Sequence, residues 1–280
     1  MYLFGITLCL LAQPAGEAKA ESAPAPAVSE SIQQLYRQDA EKYLFETGDE
    51  KPQALKLVEK PIMRWSNDDD WSGDVFMWTN KGVPAVVGCI LSGPSGETNR
   101  IVFHEFHLLA DKPLAPIDLL TKRKWQPKEG LARIPVADAP KPAQTAGARL
   151  AQMRQLSRKF TAHMEADGTW ELRLLSQPLY RYGDEDTEVV DGALFAYVWT
   201  KGTDPEVILL LECRKHGKEL VWTYAPVRFS NRQVWLKYED KEVWRVAGHK
   251  EPGTTTDLIY TTAYARTAPK DSAKEPSPPK

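Results

Sequence analysis

Leu55-Lys56-Leu57-Val58-Glu59-Lys60-Pro61-Ile62-Met63-Arg64-Trp65 aligns without a gap on Leu172-Arg173-Leu174-Leu175-Ser176-Gln177-Pro178-Leu179-Tyr180-Arg181-Tyr182. An acidic segment follows each stretch, Asp68-Asp69-Asp70 in the first and Asp184-Glu185-Asp186 in the second. Gly73-Asp74-Val75-Phe76 then answers Gly192-Ala193-Leu194-Phe195, and Trp78-Thr79-Asn80-Lys81-Gly82-Val83-Pro84 answers Trp199-Thr200-Lys201-Gly202-Thr203-Asp204-Pro205. Order, residue type and spacing agree, so the sequence reads as a duplication, which shapes every later inference.

Each stretch is preceded by a helical period. Ile32, Leu35, Tyr36, Ala40, Tyr43 and Leu44 recur at steps of three and four in the first half, and Leu150, Met153, Leu156, Phe160 and Met164 do so in the second. Arg149, Arg154, Arg158 and Lys159 fall opposite the second stripe, as a solvated helix face does. After the helix come runs rich in β-branched and aromatic residues, punctuated by Gly, Pro, Asn and Asp: Val75 to Thr79, Ala85 to Leu91 and Ile101 to Leu109, then Leu194 to Thr200, Val207 to Glu212, Leu220 to Tyr224 and Gln233 to Tyr238. The expected fold class is α+β: two tandem repeats, each an N-terminal helix packed on a curved antiparallel sheet of four to five strands. The expected organisation is a signal peptide over 1–20, a disordered linker over 21–29, a first repeat over 30–126, a Pro/Ala-rich linker over 127–146, a second repeat over 147–266 and a disordered tail over 267–280.

The ends bear on compartment. Tyr2 to Ala12 has the length and polarity of a signal-peptide core, and Ala18-Lys19-Ala20 supplies the small residues that signal peptidase requires, so cleavage is expected after Ala20 and the mature protein is expected in the periplasm, the cell envelope or outside the cell. Residues 1–20 carry one acid, Glu17, and one base, Lys19, so the formal charge stays at −2 after cleavage, which argues against a nucleic-acid binder. Cleavage also removes Cys9. Cys89 and Cys213 remain, on runs that read as buried strands, and two buried thiols are expected. No run reaches the ~18 apolar residues of a transmembrane helix, so an integral membrane protein is not expected.

Arg149-Leu150-Ala151-Gln152-Met153-Arg154, Leu172 to Tyr182, Asp191-Gly192-Ala193-Leu194-Phe195-Ala196 and Gly202-Thr203-Asp204-Pro205-Glu206-Val207 resemble an exported protein family of planctomycete-type bacteria, as do Arg64-Trp65-Ser66-Asn67 and His104-Glu105-Phe106-His107. No activity is assigned to that family. The resemblance spans residues 30 to 245 or so; it implies export and the two-part architecture, and no catalytic residue.

His104-Glu105-Phe106-His107 is the densest cluster of acid/base and metal-ligating side chains. In a strand, Glu105 and His107 point to one face while His104 and Phe106 point to the other, so at most two of the polar three converge. It is not HExxH, which needs two His one helical turn apart. The paired acidic segments lack a calcium-loop pattern and read as solvated turns. None of Ser72-Gly73, Ser92-Gly93 and Ser95-Gly96 sits in a nucleophile elbow, and no Gly-rich phosphate loop opens either helix. If both halves bind, the shared positions Arg64/Arg181 and Trp65/Tyr182 are the better candidates. The reading that follows is an exported, non-catalytic module that binds a ligand or partner, such as a protein or carbohydrate surface, through Arg64, Trp65, Arg181, Tyr182, His104, Glu105 or His107, with neither cofactor nor metal called for. The alternative is a secreted or periplasmic hydrolase with a site near His104, Glu105 and His107.

Overall fold

A computed structural model describes residues 29–184, 187–200, 202–250 and 255–270. The expected signal peptide, all but the last residue of the 21–29 linker, and the tail beyond residue 270 lie outside the described residues.

The chain enters through helix α1 (Glu30–Glu41), whose Ile32, Tyr36 and Ala40 are buried as their spacing dictates. The short strands β1 (Lys56–Leu57) and β2 (Met63–Ser66) both pair with β3 (Ser72–Asn80), which is followed by β4 (Val83–Ser95) and β5 (Asn99–Leu108) in an antiparallel meander. Next come β6 (Ile117–Asp118) and β7 (Lys124–Trp125), then β8 (Ile134–Pro135) and helix α2 (Ala146–Ser157). The second sheet is assembled from β9 (Phe160–Glu165), β10 (Thr169–Leu174), β11 (Tyr180–Tyr182), β12 (Val189–Val198), β13 (Pro205–His216), β14 (Glu219–Arg228), β15 (Gln233–Tyr238) and β16 (Lys241–Val246). Finally β17 (Thr255–Thr256) runs parallel to β7, and β18 (Tyr260–Pro269) pairs with β5, carrying the end of the chain back to the first sheet.

The expected α+β pair of repeats is therefore corrected. Among the described residues there are two helices and eighteen strands, and the sheets are unequal: six strands in the order β1-β3-β4-β5-β18 with β2 beside β3, against nine in the order β16-β15-β9-β10-β12-β13-β14-β8 with β11 beside β12. The nine-stranded sheet curls, bringing Ala162, Met164, Val234 and Leu236 of β9 and β15 over Phe195, Tyr197, Val207 and Leu209 of β12 and β13 in one core. Segment 127–146 is built into this sheet through β8, which pairs with β14, and the Tyr238 hydroxyl donates to the Ala137 carbonyl. Residues 260–266, assigned to the second half by sequence, belong to the first sheet.

What the two matching stretches share is narrower. In each sheet a short strand lays an aromatic ring over a glycine of the next strand, Trp65 on Gly73 and Tyr182 on Gly192; a Cβ on either glycine would lie within 2.8 Å of the ring. The preceding arginine points the other way and pairs with an aspartate of the neighbouring strand, Arg64 with Asp74 and Arg181 with Asp191. These requirements account for the local match without a repeated domain.

The sheets face each other. Val75, Met77, Val87 and Cys89 of the first pack with Leu194, Ile208, Leu210 and Val227 of the second in a shared core. The reverse face of the first sheet meets α1 through Phe76, Trp78, Ile90 and Phe106. Strands covered on both faces lose the polar/apolar alternation, which is why eight successive residues of β3 and all ten of β12 are buried. Cys89 and Cys213 are buried, separate thiols. No helix among the described residues is long and apolar enough to cross a membrane.

Candidate functional site

At one end of the shared core the sheets part around a cleft of about 530 Å³. From the first sheet, β2 brings Trp65, β4 brings Cys89 and Leu91, β5 brings Phe103 and Glu105, and β18 brings Tyr260 and Thr262. From the second, the turn into β13 brings Asp204, β13 itself brings Glu206, and the turn after β14 brings Phe229, Ser230, Asn231 and Arg232. Trp71 and Trp199 stand on the walls. Trp71 can lie flat there because Gly93 carries no side chain: a Cβ at that position would fall 2.2 Å from the indole.

Strand parity explains who faces the cleft. On β5, Glu105 stands opposite Cys89 of β4 and Thr262 of β18, in one row across three strands. On β13, Ile208 and Leu210 face the first sheet, so Glu206 and Glu212, two residues beyond either end of that pair, face it too. The two glutamates differ in their company. Glu212 receives hydrogen bonds from Arg133, at 3.0 and 3.2 Å, from Arg214 at 2.9 Å and from the Tyr182 hydroxyl at 2.6 Å. Although burial would raise its carboxyl, these cations bring it below the usual range. Among the described residues, Glu105, Asp204 and Glu206 form no ion pair, and neither does the buried Arg228 beside them, whereas Asp39, Asp74, Arg100, Arg149, Asp191 and Glu212 are paired.

Electrostatics follow from that contrast. Burial pushes Glu105 up to about 7, against the lowering effect of a hydrogen bond from the Tyr260 hydroxyl and of the Arg228 charge, while Asp204 adds to the rise. Burial, then the charge of Asp204, pushes Glu206 up to about 8, against the lowering effect of Ser230 and of the Arg232 charge. Burial also raises Asp204, against the lowering effect of the Arg232 charge. Near neutral pH this end of the cleft thus holds protons that ordinary carboxyls would have released.

The cationic groups nearby are engaged elsewhere. Arg228 donates to the carbonyls of Ser230, at 3.0 Å, and Arg232, at 2.8 Å, and lies over the Tyr260 ring at 4.8 Å. Arg232 lies over Trp199 at 4.6 Å. Among the described residues, no group of three or more His, Cys, Asp or Glu is arranged to hold a metal ion.

The chain matches no protein-family model, no curated protein and no solved structure.

Of the candidate site residues singled out by sequence, the cleft brings together only Trp65 and Glu105. Trp65 is 7% exposed and donates its indole N–H to Cys89 Sγ; Tyr182 is also 7% exposed and lies within the shared core, so the two make no exposed aromatic surface. Arg64 and Arg181 point to the opposite faces of their strands, into their aspartate pairs. His104 and Glu105 lie on opposite faces of β5. His104 packs beneath α1, with the Tyr43 hydroxyl 2.5 Å from Nδ1 and Asp39 Oδ2 3.1 Å from Nε2. Burial would raise Asp39, but hydrogen bonds and charge from His104 and Arg266 hold it at about 2. His107 shares the face of Glu105 but sits behind Tyr260; its Nδ1–H donates to the Leu108 carbonyl, and burial lowers it to about 4. Trp71 and Trp199 belong to the tryptophans that sequence offers as a stacking platform, whereas Asp204, Glu206, Phe103 and Tyr260 are the cleft residues that sequence reasoning passed over. Their one visible signal is acids flanking Pro205 at the head of a run as apolar as Val207 to Leu211.

Proposed function

We propose that this is an exported, non-catalytic module that binds a small ligand in the cleft between its two sheets. The observation that carries the reading is the company of Glu105, Asp204 and Glu206: three acids that line one cleft beneath aromatic walls and, among the described residues, form no ion pair, with Arg228 and Arg232 acting on them only at longer range. Such acids oppose folding, so their place is explained by a task rather than by stability. Flat rings supply contact area at little entropic cost, and a few convergent polar groups supply orientation. Export rests on residues 1–20 and on the family resemblance, and N-terminal sequencing of the protein recovered from a cell-envelope fraction tests it: a chain beginning at Glu21 is the expected result.

The binding reading is tested by a thermal-shift screen of a small-molecule library on the wild type and on Leu91→Trp, which fills the cleft. A true ligand at a hundred times its Kd stabilises by about 2.7 kcal/mol and does so only in the wild type. Shifts that persist in Leu91→Trp, or a screen with no shifts, would remove the cleft as the site.

A hydrolase reading is favoured by one specific observation, Glu105 at about 7, where a carboxyl can both give and take a proton. His104 has no part in it, since it lies beneath α1. Turnover of chromogenic glycosides or esters that is lost in Glu105→Gln, with binding retained, would replace the non-catalytic reading.

A further inference from the structure

We infer that the ligand is a small organic cation, an ammonium group seated between the aromatic walls and the three carboxyls; this rests on the cleft being the binding site. Charge balance leads to that class. Glu105 and Glu206 are 8% and 5% exposed, and with Asp204 they make up to three negative charges. Among the described residues the nearest cations are Arg228, which donates to backbone carbonyls and lies on the Tyr260 ring, and Arg232, which lies on the Trp199 ring; they offset part of this charge from a distance and ion-pair with none of the three acids. An anionic ligand would meet a carboxylate cluster, and a neutral one would leave the acids as they are. A cation converts them from a cost into partners, donating charge-assisted hydrogen bonds to the carboxylates and gaining cation–π attraction from the indoles.

The aromatic walls are an independent observation pointing the same way. Trp71 tilts against Phe103 at 6.1 Å, and Trp199 holds a guanidinium on its face already, so the rings of this cleft are disposed to accept positive charge. A metal ion is a poorer occupant, because among the described residues no three of the possible ligands come together as a coordination set, whereas an ammonium group needs only one or two of the carboxyls.

Where an acid still holds its proton, as Glu206 does near neutral pH, pairing with a cation releases it. The groups facing the three acids are Tyr260 and Thr262 from β18, Cys89 from β4, Arg228 from β14, Ser230 and Arg232 from the turn after β14, and His107 from β5 itself. Cys89 stays a thiol, since burial raises it, and His107 stays neutral near pH 7, so the carboxyls are the groups that change charge on binding.

The test uses three probes with one skeleton and three charges: benzylammonium, benzyl alcohol and benzoate, titrated into the full-length protein by calorimetry at pH 7.5. Benzylammonium is expected to bind at least tenfold more tightly than benzyl alcohol, with benzoate weakest. Binding heats measured in buffers of different ionisation enthalpy should reveal protons released with the ammonium probe alone. Glu206→Gln should weaken benzylammonium at least tenfold and leave benzyl alcohol unchanged; the wild-type ranking needs no variant and stands if that protein fails to fold. Benzyl alcohol or a neutral glycoside binding as tightly as benzylammonium would overturn the cation while leaving the cleft as a ligand site. No binding by any probe in the wild type, together with an empty library screen, would overturn both.

Discussion

Glu105→Gln should stabilise this protein at pH 8 and leave it unchanged at pH 4. In the fold Glu105 releases its proton at about 7, and in the open chain at its ordinary 4.5. Below 4.5 both states are protonated and the residue is neutral to stability. As pH rises through 4.5 the unfolded chain ionises while the fold does not, so stability falls, and it goes on falling until the folded carboxyl also ionises near 7. At ~1.4 kcal/mol per pH unit that interval costs about 3 kcal/mol. Glutamine keeps the shape and still accepts from Tyr260, but it has no proton to lose, so the variant escapes the whole penalty. The wild-type curve alone does not isolate this effect. His107, lowered by burial to about 4 from its ordinary 6.5, withdraws stability as pH falls through that range, opposite in sign. The informative quantity is the difference between variant and wild type, from urea unfolding followed by tryptophan fluorescence at half-unit pH steps between 4 and 9. It should be near zero at pH 4, grow between 4.5 and 7, and level off at about 3 kcal/mol. A flat difference, or a variant less stable than wild type at pH 8, would mean that Glu105 is not held protonated and that the uncompensated-acid argument fails.

Other expectations are simpler. Asp191→Ala removes the carboxylate shared by Arg149 at 3.0 Å and Arg181 at 2.7 Å, beside a guanidinium that is only 3% exposed, and chemical denaturation should show a loss of about 3–5 kcal/mol. Tyr182→Phe takes one of several donors from Glu212 and should cost only about 1–3 kcal/mol by the same assay. Phe106→Ala opens a cavity among Tyr43, Phe45, Trp78 and Trp125 and should cost about 3–5 kcal/mol, with loss of near-UV circular dichroism. Gly93→Ala should displace Trp71, which packs against the shared core from the cleft wall, alter tryptophan emission and cost about 1–3 kcal/mol by chemical denaturation.

The chemistry of individual strands was more legible than their assembly. Period two placed Glu105 and His107 on one face of β5 and His104 on the other, and the helical spacing of Ile32, Tyr36 and Ala40 found the buried stripe of α1. The two-repeat architecture fails because it requires strands covered on one face only, and these strands are covered on both. Uninterrupted apolar runs such as Leu194 to Val198 and Val207 to Leu211 belong to strands buried on both faces, and they called for a second sheet where a helix was assigned. The return of β18 to β5 had no local signal, since Tyr260 to Pro269 reads as an ordinary mixed strand and its partner lies some 150 residues away.

The cleft escaped notice for a related reason: its acids come from opposite sheets, and only tertiary structure makes them neighbours. Sequence does carry half of the argument, since a glutamate at each end of the Glu206-Ile208-Leu210-Glu212 face is unusual in a buried strand. What it cannot supply is the sorting of the two. Glu212 meets Arg133 and Arg214 from β14's neighbouring segment and from its own strand, and becomes a structural anchor. Glu206 meets Asp204 and Glu105 instead, and becomes a source of instability. One strand face thus carries two buried glutamates of opposite consequence, and the one that forms no ion pair among the described residues lines the cleft between the sheets.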